Sequence, residues 1–192
     1  GGVIVNSGGT LETNGTITIA GPIAMNGGNI NTIGNTTISG LLTLNSDAVI
    51  SALQPGYAVN ITNTGTITGS GNLTISGSSG GSIASAIATT GGFTLNTPTM
   101  TWTLTGNNSY SGITTITNGT LQVGSGSTTG TLGAGAVINN ASLVFNRSNN
   151  YSVSNAISGT GNLTQSGSGT TTLSSANSYT GTTTVSNGTL SV

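Results

Sequence analysis

The sequence predicts an all-β protein, a right-handed parallel β-helix (β-solenoid) of about eight or nine coils. Three observations predict this fold. Sequence motifs recur at multiples of about twenty residues. Small aliphatic side chains alternate with small polar ones in short runs. Asn-Gly, Ser-Gly and Gly-Gly pairs separate those runs, and these are turn residues.

The strongest repeat is a motif that occurs twice. NSYSGITTITNGTLQV runs from Asn108 to Val123, and NSYTGTTTVSNGTLSV runs from Asn177 to Val192, an offset of 69 positions. When the copies are extended to Leu104–Val123 and Leu173–Val192, they match without a gap at twelve of twenty positions. A repeat of this kind indicates a fold built from similar stacked units.

A second repeated motif suggests that the first copy contains one additional coil, a surplus segment at about residues 80–100. GSGNLTISGS (Gly69–Ser78) matches GTGNLTQSGS (Gly159–Ser168) at an offset of 90 positions. The two offsets, 90 and 69, differ by 21 positions, which is close to the predicted coil length. A stack of coils tolerates the insertion of one unit, because each unit contacts only its neighbours.

The sequence alternates with the period of a β-strand within each unit. In NGTLQV, Leu121 and Val123 point to one face, and Thr120 and Gln122 point to the other. The runs are rich in β-branched residues, and no stretch combines helical periodicity with caps, so we expect almost no helix.

A β-sandwich or barrel is the alternative, because Asn-Gly also favours hairpins. Recurring Asn at equivalent turn positions favours the solenoid, in which stacked amides form ladders (Asn108 with Asn177, Asn118 with Asn187). We expect residues 1–192 to form one continuous solenoid, with weakly matching repeats in 1–68 and clear repeats in 69–192.

The near absence of charge and of reactive side chains restricts the function. Glu12, Asp47 and Arg147 are the only charged side chains, and the sequence contains no Cys and no His. One Arg cannot supply nucleic-acid affinity, and thiolate chemistry, Ser-His-Asp catalysis and His or Cys metal sites are excluded. We interpret both carboxylates as solvated turn residues. We therefore predict no catalytic, cofactor-binding or metal-binding residue, no cofactor, and no enzymatic activity.

Two further features concern membranes and export. No apolar run approaches the roughly 18 residues of a membrane helix, so no membrane insertion of this segment is expected. The chain shows no basic and then apolar leader, and we expect a mature product or a segment of a longer chain.

Residues 97–106, TPTMTWTLTG, place Thr99, Thr101, Thr103 and Thr105 on one face of a predicted strand. An outward threonine row suggests ice binding as an alternative, although the irregular spacing of the other threonine runs disfavours it. Trp102 is the only Trp, and we expect it to cap a widened coil or to lie at an interface, since a slim interior has little room for it.

The segment GTGNLTQSGSGTTTLSSANSYTGTTTVSNGTLSV (Gly159–Val192) resembles the passenger-associated repeat of bacterial autotransporters. The matching positions are Gly159, Gly161, Leu163, Gly169, Leu173, Asn177, Tyr179, Gly181, Thr183, Gly188, Thr189, Leu190 and Val192. The resemblance implies a right-handed β-helix carried on a secreted bacterial surface protein.

The functional prediction follows from this resemblance and from the composition. We expect a structural rod, extracellular or on the bacterial cell surface, that serves adhesion, aggregation or display. The alternative is a subunit of a self-assembling extracellular fibre, because the outer surface carries little repelling charge. The expected partners are further coils of the same or a longer chain, homopolymers included, and a cell-surface or matrix partner.

Overall fold

The computed structural model describes residues 1–63 and 65–192, and within that part of the chain it contains 22 strands and no helix. In chain order the strands are β1 (Val3–Asn6), β2 (Thr10–Asn14), β3 (Ile17–Ile19), β4 (Ile23–Asn26), β5 (Asn29–Ile33), β6 (Thr36–Ile38), β7 (Leu42–Leu44), β8 (Ala48–Ala52), β9 (Ala58–Ile61), β10 (Thr68–Gly69), β11 (Leu73–Gly77), β12 (Gly80–Ile83), β13 (Phe93–Leu104), β14 (Thr114–Ser127), β15 (Val137–Asn139), β16 (Ser142–Arg147), β17 (Tyr151–Val153), β18 (Ile157–Ser158), β19 (Asn162–Gln165), β20 (Thr170–Leu173), β21 (Thr183–Val185) and β22 (Thr189–Ser191).

The strands stack on three sides of a parallel β-solenoid of about nine turns. Side one contains β1, β4, β7 and β10, and after a stretch of irregular backbone it resumes with β17, β20 and β22. Side two contains β2, β5, β8 and β11, then the first halves of β13 and β14, then β15 and β18. Side three contains β3, β6, β9 and β12, then the second halves of β13 and β14, then β16, β19 and β21.

Each strand pairs in parallel with the strand one coil away, which confirms the predicted fold and excludes the antiparallel sandwich for these strands. The sequence step between register partners is shorter from Thr10 to Asn29 than from Ala48 to Leu73. The coil length therefore varies around the predicted value, and corner loops absorb the difference. The right-handed sense of the winding stays a prediction.

The interior is a set of inward-pointing files of aliphatic side chains. On side two, the pattern of β8 is buried at Ala48, Ile50 and Ala52 and partly exposed between them. Ile50 pairs with Ile30 in the previous coil and with Ile75 in the next, and all three are fully buried. Burial of an aliphatic side chain contributes about 1.5–3 kcal/mol, so these files provide the main driving force for stacking.

The two copies of the long repeat lie on different sides of the solenoid. Leu121 of the first copy is on side three, where its ladder continues through Leu143 and Leu163 to Thr183. Its equivalent in the second copy, Leu190, pairs with Thr171 on side one. The repeated sequence thus forms the same local structure, one side and the corner beside it, on two different sides of the solenoid.

The shorter repeat shows the same rotation by one side. Gly69 is on side one and its equivalent Gly159 follows β18 on side two, and both have positive φ, 116° and 103°. Glycine adopts this conformation without strain, so the corner turn is retained although the side has changed.

The surplus segment between the motifs forms one coil, as predicted. In the first copy, Leu73 pairs with Phe93, and Phe93 pairs with Thr114, which makes two coil steps. In the second copy, Leu163 pairs directly with Thr183, which makes one step.

Trp102 lies in the interior, so the prediction of a cap or an interface is wrong. The ring is fully buried, and its Nε1 donates to the carbonyl oxygen of Ser79 at 3.0 Å. The register partner in the preceding coil is Gly81, which has no side chain, and this gap accommodates the indole.

Amide ladders form, but not between the predicted pairs, because the two repeat copies lie on different sides. Asn26 Nδ2 donates to Asn6 Oδ1 at 2.9 Å, and Asn45 Nδ2 donates to Asn26 Oδ1 at 2.8 Å. Asn118 Nδ2 donates to Asn96 Oδ1 at 2.9 Å. The ladders therefore connect Asn residues that are one coil apart.

Candidate functional site

The two carboxylates are far apart and do not form a catalytic pair. Glu12 is exposed on β2 and pairs in register with Asn31 and then Ser51, while Asp47 lies four positions before Ser51. Two coil steps along the axis and this distance along the strand separate them by roughly 16 Å. Paired-carboxylate hydrolysis requires roughly 5–10 Å. Glu12 lies in a strand and not in a turn, which corrects one part of the prediction.

Asp47 takes part in a polar contact between coils. Its Oδ1 accepts hydrogen bonds from the backbone N–H of Asn72 at 2.9 Å and from Asn72 Nδ2 at 2.7 Å. Asn72 Oδ1 in turn accepts from the N–H of Gly92 at 2.6 Å. Asp47 therefore satisfies one backbone donor and one side-chain amide at a corner, which is a structural role.

Arg147 is buried, which the sequence analysis did not predict. Its guanidinium donates to the carbonyl oxygens of Thr128 and Gly130 and to Asn149 Oδ1, and it lies 4.6 Å from the centroid of the Tyr151 ring. Burial lowers the pKa of this guanidinium. These contacts engage both terminal nitrogens and attach the exposed segment 125–129, which is the end of β14 and the two residues after it, to the solenoid. The side chain therefore serves the geometry of this segment.

Tyr110 and Thr114 form a buried hydroxyl pair inside the solenoid. Tyr110 is fully buried, and its hydroxyl is 2.7 Å from Thr114 Oγ1. Burial raises the pKa of Tyr110 to about 12. A group that is closed to solvent and has such a high pKa is protonated at neutral pH and suits packing, not proton transfer.

The outward surface of side three carries only uncharged side chains along its central file. Its central file reads, coil by coil, Thr18, Thr37, Asn60, Ser82, Thr103, Gln122, Val144, Thr164 and Thr184. Threonine occupies five of nine positions in this register, and it is interrupted by amides, by Ser82 and by Val144. Ice binding, which the sequence analysis gave as a disfavoured alternative, is not tested by the structure, and the threonine array is discontinuous.

A corner loop between sides two and three carries exposed apolar side chains, and we call residues 53–57 the contact loop. Its sequence is LQPGY, in which Leu53 is 44% exposed and Tyr57 is 41% exposed. Pro55 and Gly56 suit a tight turn, and Gly56 has a positive φ of 86°. Ser78 Oγ donates to the Leu53 carbonyl oxygen at 2.7 Å, and Ser79 Oγ donates to that of Gln54, so the loop is fixed to the next coil.

Two concave surfaces lie elsewhere on the solenoid. A shallow groove of about 290 Å³ on side one is lined by Ile4, Pro22, Ala24 and Thr43. A second groove of about 460 Å³ lies on the last turn, beside Tyr179. No group of three or more His, Cys, Asp or Glu side chains occurs in residues 1–63 and 65–192. No helix in that same part is long and apolar enough to span a membrane.

Comparisons with known proteins agree with the repeat pattern. The passenger-associated-transport-repeat family matches residues 101–123 and 163–192. The adhesin BmaC autotransporter of Brucella suis biovar 1 (strain 1330) is 50% identical over 48 residues, which are 25% of this chain and 1% of that relative. The chain thus spans a small fraction of that relative's length. No solved structure matches the chain.

Proposed function

We propose, from the premise that residues 101–123 and 163–192 are passenger-associated transport repeats of autotransporters, that this chain is a structural β-helix segment of a secreted bacterial surface protein. Its role is adhesion, and it performs no chemistry of its own. The observation that carries the proposal is the combination of these repeats with a solenoid in which Asp47, Arg147 and the buried Tyr110 have structural partners. The similarity to a curated protein named as an adhesin supports adhesion as the role.

The physical basis is a rod that presents small polar surfaces at fixed positions. Each coil hydrogen-bonds to the next through its backbone, so the stability is distributed along the axis. Charged residues make up 2% of the chain, so long-range electrostatic steering of a partner is weak. Binding of a partner therefore depends on shape, hydrogen bonds and apolar groups. The contact loop is the surface that we assign to such contact, because it exposes Tyr57, and tyrosine is enriched among the residues that anchor protein interfaces. Leu53 beside it adds exposed apolar area.

A bead-binding assay tests this proposal. Beads coated with the folded chain should bind a panel of extracellular-matrix proteins and cultured epithelial cells more than albumin-coated beads do. The double variant Leu53→Ser/Tyr57→Ser should reduce that binding, and the matched control Ile113→Ser removes a hydrophobic group, 49% exposed, elsewhere on the surface. Binding no higher than that of albumin across the panel contradicts adhesion by this segment.

Self-assembly into a fibre is the second candidate function. Charged residues make up 2% of the chain, so little charge repulsion opposes the association of one rod with another. Light scattering and electron microscopy from low to high micromolar concentration test this, and particles that stay the size of single rods throughout count against it.

A further inference from the structure

Several corners of the solenoid are formed by an asparagine followed by a glycine, and the proposed function uses none of these pairs. They are Asn14-Gly15, Asn26-Gly27, Asn118-Gly119 and Asn187-Gly188. The glycines have positive φ values between 64° and 91°, which suit a tight corner. The same pairs are chemically labile, because glycine has no side chain to hinder attack of its own backbone nitrogen on the preceding asparagine.

This reaction is deamidation, and it occurs within the chain. The glycine nitrogen loses its proton to base and attacks Cγ of the asparagine, and the bond between Cγ and Nδ2 breaks with release of ammonia. Water then opens the cyclic imide to aspartate or isoaspartate, so water is consumed and ammonia is released. The attack requires the asparagine side chain to turn toward its own backbone, since the two reacting atoms must be close together.

The side chain of Asn118 is held away from its own backbone by an amide ladder. Asn118 Nδ2 donates to Oδ1 of Asn96, in the preceding coil, at 2.9 Å. Because this hydrogen bond connects neighbouring coils, it directs the amide along the axis of the solenoid and away from the nitrogen of Gly119. The ladder must open before the imide ring can form.

Asn26 is held on both sides. Its Nδ2 donates to Asn6 Oδ1 in the preceding coil at 2.9 Å, and its Oδ1 accepts from Asn45 Nδ2 in the following coil at 2.8 Å. Two hydrogen bonds must therefore break before Asn26 can react with Gly27.

The second copy of the long repeat provides a comparison within the same molecule. Asn118 and Asn187 both precede Gly-Thr-Leu, so their intrinsic reactivity should be similar. In the coil before Asn187 the chain reads QSGSG (residues 165–169), which offers no asparagine for a ladder. Asn187 Oδ1 instead accepts from the N–H of Gly188 at 2.9 Å. Since Oδ1 is bonded to Cγ, this contact brings the attacking nitrogen close to the atom that it must reach.

Reaction at Asn118 would disrupt the corner that it forms. A carboxylate has no hydrogen to donate to Asn96 Oδ1, so the ladder bond would be lost. Isoaspartate would also lengthen the main chain by a methylene group. The corner has no room for it, because even a β-carbon on Gly119 would collide with Thr97 Oγ1 and with the carbonyl oxygen of Met100.

We infer that Asn26-Gly27 and Asn118-Gly119 are deamidation sites that the amide ladders protect. Each site reacts when its ladder opens locally. The ladders thus preserve the chemical integrity of the corners in addition to joining the coils. This inference does not depend on adhesion, because it rests on contacts within the solenoid.

Incubation of the folded chain in mildly alkaline buffer, followed by peptide mapping with mass spectrometry, measures the deamidation rate at each pair. Asn96→Ala removes the acceptor for Asn118 and should raise the rate at Asn118 about fivefold, the factor expected for one hydrogen bond. Asn96→Asp retains an acceptor oxygen and should keep the parental rate. Asn6→Ala/Asn45→Ala removes both partners of Asn26 and should raise the rate at Asn26 about thirtyfold.

Ser76→Ala is the matched control. Ser76 pairs in register with Asn96, but its hydroxyl lies 2.8 Å from Ser51 Oγ, on the other side from Asn118. This variant should leave the rate at Asn118 unchanged. Asn187 is the reference in every variant: Asn118 should react as fast as Asn187 in urea and more slowly than Asn187 in the folded chain.

A parental rate at Asn118 in folded Asn96→Ala overturns the inference. An equal acceleration in Ser76→Ala also overturns it, because general loosening of the coil then explains the reaction. The double variant tests a separate ladder, so a parental rate at Asn26 in that variant counts against the inference even if Asn96→Ala does not fold. None of these results bears on the bead-binding assay.

Discussion

The hydroxyl of Tyr110 should stabilise the fold at neutral pH and destabilise it at high pH. Replacing Tyr110 by phenylalanine tests both effects. Folding raises the pKa of this phenol from 10.0 to about 12, because burial disfavours the phenolate. A raised pKa contributes stability that is fully present below pH 10 and is lost as the pH rises through 12. The loss is about 1.4 kcal/mol by pH 11 and about 2.3 kcal/mol by pH 12.

At neutral pH the substitution has the opposite effect. The phenol contributes a hydrogen bond to the buried Thr114 hydroxyl at 2.7 Å, and its removal costs about 1 kcal/mol. Tyr110→Phe should therefore be less stable than the parent at pH 8, equally stable near pH 11 and more stable at pH 12.

Urea unfolding, followed by far-UV circular dichroism and by the emission of Trp102, measures this difference across pH 8–12. Tyr151, whose pKa burial also raises, is present in both proteins, and its coulombic effect on Tyr110 is the smallest of the causes of that shift. Tyr57→Phe, which changes an exposed ring, is the control and should follow the parent at every pH. If Tyr110→Phe keeps a constant difference from the parent over the whole range, the phenol is not buried as described.

Three further substitutions probe packing, loop attachment and the contact between coils. Gly81→Val places a side chain against Trp102 and the Val59 carbonyl oxygen. We expect it to destabilise the fold by about 3 kcal/mol and to shift the emission of Trp102 to the red. An unchanged emission spectrum would contradict the packing of Trp102 against Gly81. Arg147→Gln removes the donors to the carbonyl oxygens of Thr128 and Gly130. We expect the free energy of unfolding to fall by about 2–3 kcal/mol and subtilisin to cleave faster within residues 125–129. A digestion pattern like that of the parent would contradict the attachment of this segment by Arg147. Asn108→Ala removes the hydrogen-bond partner of the buried Ile87 N–H and of the partly buried Thr131 carbonyl oxygen. It should lower the free energy of unfolding by about 2 kcal/mol, as calorimetry or urea unfolding can verify.

The sequence predicts the class of fold well because its signal is periodic. Alternation in runs such as NGTLQV reports which side chains face inward, and the offsets between repeated motifs report whole coils. Both signals arise from local geometry, namely the strand period and the strand spacing, so they do not depend on long-range detail.

The rotation between repeat copies was beyond sequence reasoning. Identical residues imply similar surroundings, and three similar sides provide those surroundings three times in each coil. Nothing in NSYSGITT or NSYTGTTT indicates on which side of the solenoid the segment lies. The two copies lie on different sides, so the predicted pairing of Asn108 with Asn177 is wrong. Only the register of the intervening coils, such as the ladder from Leu121 to Thr183, determines the side.

The interior positions of Trp102 and Arg147 were missed for a related reason. Each position depends on residues of the adjacent coil. Gly81 leaves space for the indole of Trp102, and the carbonyl oxygens of Thr128 and Gly130 accept hydrogen bonds from the guanidinium of Arg147. A glycine opposite a large side chain was the available signal. It becomes readable only after the register is known.

Cysteine cross-linking across β8 and β11 tests the parallel stacking of coils most directly, because the chain has no cysteine of its own. Val49 pairs with Thr74, and Ser51 pairs with Ser76. The double variants Val49→Cys/Thr74→Cys and Ser51→Cys/Ser76→Cys should form disulfides readily. The crossed pairs, Val49→Cys/Ser76→Cys and Ser51→Cys/Thr74→Cys, lie about 8 Å apart between Cα atoms and should not. Efficient disulfides in the crossed pairs, and none in the first two, would indicate antiparallel strands and contradict the solenoid.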